Sequence, residues 1–158
     1  QGSDSIKAVG NYSNNVITGN GADNTLIGLP GADTLTGGLG SDRFVYRSAF
    51  DSHLGHSSPY YDQITDFNAA EDYIHLPFES VSQFKTITPV SELTQSSVSD
   101  AFVGASIDAL DVVLFEVGER AFIVANDENP DYSVTDDLLI EVTGSSLNDF
   151  TRTNFVLS

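Results

Sequence analysis

Four side chains able to hold a cation recur at every ninth residue: Asn15, Asn24, Asp33 and Asp42. Each is the sixth residue of a unit that opens on glycine (Gly10, Gly19, Gly28, Gly37). Each unit carries a large apolar residue at its eighth place (Ile17, Leu26, Leu35, Phe44). Asp and Asn bring hard oxygen donors, and glycine lets main-chain carbonyls approach closely. An all-oxygen cage of about 6–8 ligands suits Ca²⁺, whereas zinc would ask for His or Cys. The chain has no Cys, which excludes disulfides and thiolate chemistry.

The same units say how the oxygens must be placed. Their first six residues are Gly- and Asx-rich, which is turn chemistry, and their last three, such as "TLT" or "RFV", form a short strand. Turn, strand, turn, strand winds a solenoid with two units per coil and the eighth residues inside. Loops on one side then come from units two apart. Asn15 is expected beside Asp33, and Asn24 beside Asp42. Asp33 also looks forward, to Asp51 if the count of nine continues past Val45.

"GGLGSDRFV" (Gly37–Val45) has the form G-G-x-G-x-D-x-U-x at every fixed position, and "GLPGADTLT" (Gly28–Thr36) departs from it only at Leu29. The pattern resembles the calcium-binding nonapeptide of RTX proteins. Gly19–Ile27 and Gly10–Thr18 are degenerate copies, and "GSDSIK" looks like the tail of another. "DQITDFNAAEDYIHL" (Asp62–Leu76) resembles the D-x-I-x-D-F…D-x-I-x-L segment after such repeats. There an Asp matching Asp62 completes the last calcium site, with Asp51 as the rival. "AFIVANDENPDYSVTDDLLIEVTG" resembles the cap of large cyanobacterial surface proteins that carry these repeats.

The resemblance implies an all-β chain. A short parallel β-roll over residues 1–46 is expected, followed over 47–158 by a mostly antiparallel, β-sandwich-like cap with one or two short helices. The two would form one cooperative unit. It implies one to three Ca²⁺ held by the carboxylates of Asp33, Asp42 and Asp62, the amide oxygen of Asn24, and the carbonyls of Gly28, Pro30, Gly31, Gly37, Gly38, Leu39 and Gly40. It also implies a secreted or cell-surface bacterial protein, exported through type I secretion machinery and folding on calcium outside the cell. The tail "TNFVLS" would be a secretion signal, a last edge strand, or both. A related arrangement in alginate epimerases suggests another role, an accessory module for an extracellular polysaccharide. That role would need a patch built from Lys7, Arg43, Arg47, Lys85, Arg120 and Arg152. A terminal adhesin domain, with "PYYD" as its exposed aromatics, is a third reading.

Charge narrows the partners. Six basic against 23 acidic residues give a net −17, which speaks against nucleic acid and anionic membrane surfaces. Self-repulsion of this size opposes compaction, so carboxylate neutralisation should help folding. No apolar run is long enough to span a bilayer. With no Met, the chain reads as a piece of a longer product. No nucleophile elbow, H-E-x-x-H or phosphate loop is present, and no enzyme activity is expected.

Beyond the repeats the pattern is coarser. Asp62–Leu76 alternates as two strands around a turn at Asn68–Asp72. Ser80–Phe84 suggests a helical turn, and Ser97–Leu110 a helix capped by Ser99. Asp111–Val117 and Arg120–Asp127 suggest a hairpin, Asp136–Gly144 a strand and Ser146–Phe150 a helical turn. "HLGH" (His53, His56) has metal-like spacing but no further ligands nearby, so an exposed loop is expected. His75 should face solvent. Asn126–Asp137 is expected as a solvated acidic turn rather than a separate calcium loop.

Overall fold

A computed structural model of the chain describes residues 4–55, 60–87, 89–129, 131–133 and 136–158. In chain order the elements are β1 (Lys7–Val9), β2 (Val16–Thr18), β3 (Thr25–Ile27), β4 (Thr34–Thr36), β5 (Arg43–Val45), β6 (Asp62–Ile64), β7 (Tyr73–His75), β8 (Phe84–Thr86), α1 (Gln95–Ala105), β9 (Val112–Val117), β10 (Arg120–Ala125), β11 (Leu138–Val142) and β12 (Phe155–Val156). Each unit contributes one three-residue strand, because only its last three residues lack Gly and Asx.

Successive strands alternate between two sheets. One runs β1-β3-β5-β7-β12 and is parallel throughout. The other begins β2-β4-β6-β11, also parallel. The eighth residues stack in register between the sheets. Ala8, Leu26, Phe44, Ile74 and Phe155 form one row. Ile17, Leu35, Ile64 and Val142 form the other. Leu26, Leu35, Phe44, Ile64 and Ile74 are fully buried or nearly so. At about 1.5–3 kcal/mol for each large apolar side chain, these rows are the main cohesive force of the roll.

The parallel pairing does not stop at Tyr46. Asp62–Ile64 continues the sheet of β4, and Tyr73–His75 continues the sheet of β5. Residues 47–61 therefore form an excursion between two coils. Ser52, fully buried, ties that excursion down: its Oγ donates to the Leu139 carbonyl and accepts from Asp62 N. The expected pair of strands around Asn68–Asp72 is present, and its members lie in opposite sheets. The tail contributes an edge strand, β12 on β7.

Beyond β11 the second sheet turns antiparallel through β10 and β9, the expected hairpin, and ends on β8. These strands are apolar on both faces because both are covered. One face joins the roll core through Leu114, Ile123 and Ile140. The other packs Val113, Phe115, Phe122, Val124 and Leu139 against Val98 and Phe102 of α1.

Two expectations are corrected. No helical turn forms at Ser80–Phe84. Phe84 lies in β8, its ring 4.5 Å from Phe155, and strand pairing with β9 outweighs local propensity. The helix starts earlier than expected, capped by Thr94, whose Oγ1 accepts from Ser97 N. It ends at Ser106, which is left-handed at φ 53°. Leu147–Asp149 is a short helical turn as expected.

The acidic segment is not simply a solvated turn. Asp137 is buried, and its carboxylate accepts from Asp127 N (2.8 Å) and Ser133 N (2.6 Å). Burial pushes its carboxyl up to about 7. A raised folded-state value means that folding takes up a proton. The stabilisation is therefore full below the ordinary value of about 4 and is lost as pH rises through about 7. Melting curves of Asp137→Asn are expected to show a shallower fall between those limits than the parent. Equal slopes would remove Asp137 as the cause.

Candidate metal sites

The unit's first residue must be glycine for a steric reason. A Cβ at Gly28 would lie 2.1 Å from Asp33 Oδ2, and one at Gly37 would lie 2.3 Å from Asp42 Oδ2. The sixth side chain thus fills the space that a first-position side chain would take. Stacking closes the rest: a Cβ at Gly19 would meet the Gly37 carbonyl at 2.2 Å.

The sixth residues form two columns, one on each side of the roll. In the first, Asn15 N donates to Asp33 Oδ1 (2.6 Å), and Asp33 N donates to Asp62 Oδ1 (2.8 Å). In the second, Asn24 N donates to Asp42 Oδ1 (2.8 Å), and Asp42 N donates to Asp72 Oδ1 (2.9 Å). Each carboxylate therefore spends one oxygen stapling the coil before it. Of the two candidates ahead of Asp33, Asp62 continues the column. Asp51 instead turns back on its own loop and accepts from Arg47 N and Ser48 N.

The second oxygens are the chemically telling feature. Oδ2 of Asp33, Asp42 and Asp62 is buried and has no hydrogen-bond partner. An unpartnered buried carboxylate oxygen is costly. Burial accordingly raises all three carboxyls above their ordinary value, Asp62 most strongly. Neighbouring charges add to this: Asp51 acts on Asp33 and on Asp62, and Asp66 on Asp42. The buried Tyr46 hydroxyl lies beside the Asp62 carboxylate and favours its charged form, against the larger effect of burial.

A divalent cation would satisfy these oxygens. Among the described residues no three His, Cys, Asp or Glu side chains converge on a metal position. An ion here would draw at most two ligating side chains from these residue types and the rest from neutral oxygens such as main-chain carbonyls and water, as calcium does and zinc does not. His53 is not set up as a zinc ligand, being stacked on Tyr60 at 5.6 Å; His56 lies outside the described residues. The residues present thus fit a hard, oxygen-seeking ion.

The other expected residues lie in the same loops. Gly37 N and Gly38 N donate to the two oxygens of Asp66 (2.8 Å each). Leu39 is exposed, and its N–H donates to the Asn20 carbonyl. Gly38 and Gly40 are left-handed at φ 106° and 105°. Leu29, standing where the repeat calls for a second glycine, is left-handed at φ 70°. Pro30 and Gly31 line a shallow groove with Tyr12, Phe50, His53 and Tyr60. Asn24 turns its amide nitrogen, not its oxygen, toward the oxygens of the neighbouring loop.

Sequence reasoning missed Asp66 and Asp72. Asp72 had a signal: Asp72-Tyr-Ile74 repeats the Asp-x-apolar spacing of Asp33-Thr-Leu35, Asp42-Arg-Phe44 and Asp62-Gln-Ile64. The excursion at 47–61 hid it by breaking the count of nine.

Residues 9–44 match the model of the RTX calcium-binding nonapeptide repeat, in four copies. No curated protein matches the chain in sequence. Among solved structures it is similar to the AlgE6R2 subunit of the mannuronan C5-epimerase of Azotobacter vinelandii, with a TM-score of 0.59 at 18% identity, over 98% of this chain and 88% of that one. The AlgE6R3 subunit of the same enzyme gives 0.55 at 18% identity, over 99% and 80%. Those likenesses concern the fold, and the nonapeptide match concerns the repeats. Residues 9–44 are thus similar to RTX calcium-binding nonapeptide repeats, and they sit on a β-roll whose fold, running on through β6, β7, β11 and β12, is like that of the two AlgE6 subunits.

Proposed function

We propose that the chain is a calcium-dependent folding module of a secreted or surface bacterial protein. The observation that carries this reading is the set of three buried, unpartnered carboxylate oxygens on Asp33, Asp42 and Asp62. Asp33 and Asp62 would serve one side of the roll, and Asp42 with the Asp72 loop the other. Carbonyls of Gly28, Pro30, Gly31, Gly37, Gly38, Leu39 and Gly40 would complete the cages. Calcium would supply positive charge between stacked loops that otherwise present oxygen to oxygen. Extracellular calcium modules bind at about 10⁻⁴–10⁻³ M, above the level held inside cells. The roll would then stay loose during type I export and close outside by mass action. The roll and residues 47–158 share one core, which supports folding as one unit and a capping role for β11 and β12. A chelator titration followed by circular dichroism and melting temperature tests this. Strand signal and melting temperature should both fall as calcium is withdrawn, and no change in either would sink the reading.

One observation favours a second role, on an anionic polysaccharide. Lys7, Thr25, Arg43 and Tyr73 stand in register across four adjacent strands of the five-stranded sheet, with Lys7, Arg43 and Tyr73 exposed. The full six-residue basic patch does not assemble in support: Lys85 is paired with Asp111, and Arg120 with Glu141. Retention on immobilised alginate at low salt should be lost in Arg43→Ala. Equal elution of parent and variant would remove this role.

A further inference from the structure

Asn24 occupies the same place in its loop as Asp33 and Asp42 occupy in theirs, and its amide shows what that place requires. Oδ1 of Asn24 accepts from Ile6 N (3.3 Å), as Oδ1 of Asp42 accepts from Asn24 N (2.8 Å). Its second terminal atom is Nδ2, which lies where the aspartates carry Oδ2. A Cβ at Gly19 would sit 2.7 Å from Asn24 Nδ2, just as one at Gly37 would crowd Asp42 Oδ2. The aspartate oxygen in this slot has no partner. The Asn24 nitrogen has three oxygens: the Ala22 carbonyl of its own loop, the Gly37 carbonyl (3.2 Å) and Asp42 Oδ1 (2.8 Å) of the next coil. The orientation follows from the surroundings. Turning the amide over would set Nδ2 against the Ile6 N–H and oxygen against three oxygens.

We infer that the Asn24 amide stands in for a cation between its loop and the Gly37–Asp42 loop. This joint is closed by hydrogen bonds without metal, and calcium is needed only where the sixth residue is aspartate. The inference rests on the calcium reading above for its second half only. Asn24 is then not a calcium ligand, and its substitution for Asp is not decay of the repeat. Two N–H groups partly neutralise the Asp42 carboxylate from one side at any calcium level. The roll therefore has a metal-independent joint near its start and metal-dependent joints beyond it. Asn24 is itself buried, so water does not compete for these bonds.

The test compares the parent, Asn24→Ala and Asn24→Asp by calorimetric calcium titration and by melting in chelator. In chelator, Asn24→Ala should melt roughly 2–10 °C below the parent, since it leaves buried acceptors unsatisfied. Asn24→Asp should also melt lower there, because it sets a carboxylate against Asp42. With calcium, Asn24→Asp should bind one ion more than the parent and recover its melting temperature, while Asn24→Ala keeps the parent's count. An Asn24→Ala chain that melts like the parent in chelator, or that loses one calcium ion, overturns the inference. A parent that binds no calcium would defeat the calcium reading alone, because the melting comparison in chelator contains no metal.

Discussion

A chain carrying Asp33→Asn and Asp42→Asn together is expected to lose most of its melting-temperature response to calcium, and to melt above the parent in chelator. In the parent, Asp33 Oδ2 and Asp42 Oδ2 are buried without partners, and burial opposes their ionisation. Asparagine can keep the Oδ1 staple to the preceding coil and place Nδ2 in the slot, as Asn24 does with Ile6 N and Asp42 Oδ1. The metal-free cost is thereby removed at both positions, leaving only that of Asp62, and with it goes most of the reason to bind metal. A ligand at a hundredfold excess over its dissociation constant contributes about 2.7 kcal/mol per site. At about 2–4 °C per kcal/mol for a chain of this size, the parent should gain roughly 10–20 °C from two sites. The exposed Asp100→Asn serves as control and should keep the full response. A double variant whose melting temperature climbs with calcium as far as the parent's would show that these carboxylates are not the metal's partners.

The second large effect is steric. Gly38→Ala is expected to destabilise the roll by about 3 kcal/mol or more, with a melting temperature lower by roughly 6–12 °C. Gly38 is left-handed at φ 106°, a region costly for any residue with a Cβ. A Cβ there would lie 2.1 Å from the Asn20 carbonyl oxygen, and backbone cannot yield as a flexible side chain can. That carbonyl also accepts from Leu39 N, and Gly38 N donates to Asp66 Oδ2, so relief of the clash would break the joint between neighbouring coils. Gly104→Ala in α1 is the contrasting change. Nothing lies within 4 Å of its Cβ position, and a helical glycine replaced by alanine should gain about 0.5–1 kcal/mol. If Gly38→Ala melted like the parent, close stacking of these loops would be wrong.

Most of the roll was legible because its information is local. Nine residues carry their own turn chemistry, their own strand and their own inward apolar residue, so counting from Gly10 to Val45 yields coil, register and the pairing of Asn15 with Asp33 and Asn24 with Asp42. Beyond Val45 the count fails. The excursion at 47–61 leaves a reader of spacing with Asp51, so that only the resemblance of its segment favours Asp62, and it hides Asp66 and Asp72. The cap resisted for a related reason. Phe84 forms a strand because β9 and Phe155 lie beside it, and both are distant in sequence.

The sequence by itself determined that carboxylates would stack in columns one coil apart, because a fixed period of nine with glycine at its first place allows little else. Only the tertiary structure decided what each stacked oxygen meets. Asp62, not Asp51, follows Asp33, because Ser52 pins the intervening loop and delivers Asp62 N to its Oγ. Asn24 presents nitrogen where Asp33 and Asp42 present bare oxygen. A one-letter code shows that an amide has replaced a carboxylate. Which of its two ends faces the next coil is set by the Ile6 N–H on one side and three oxygens on the other, groups that only folding brings together.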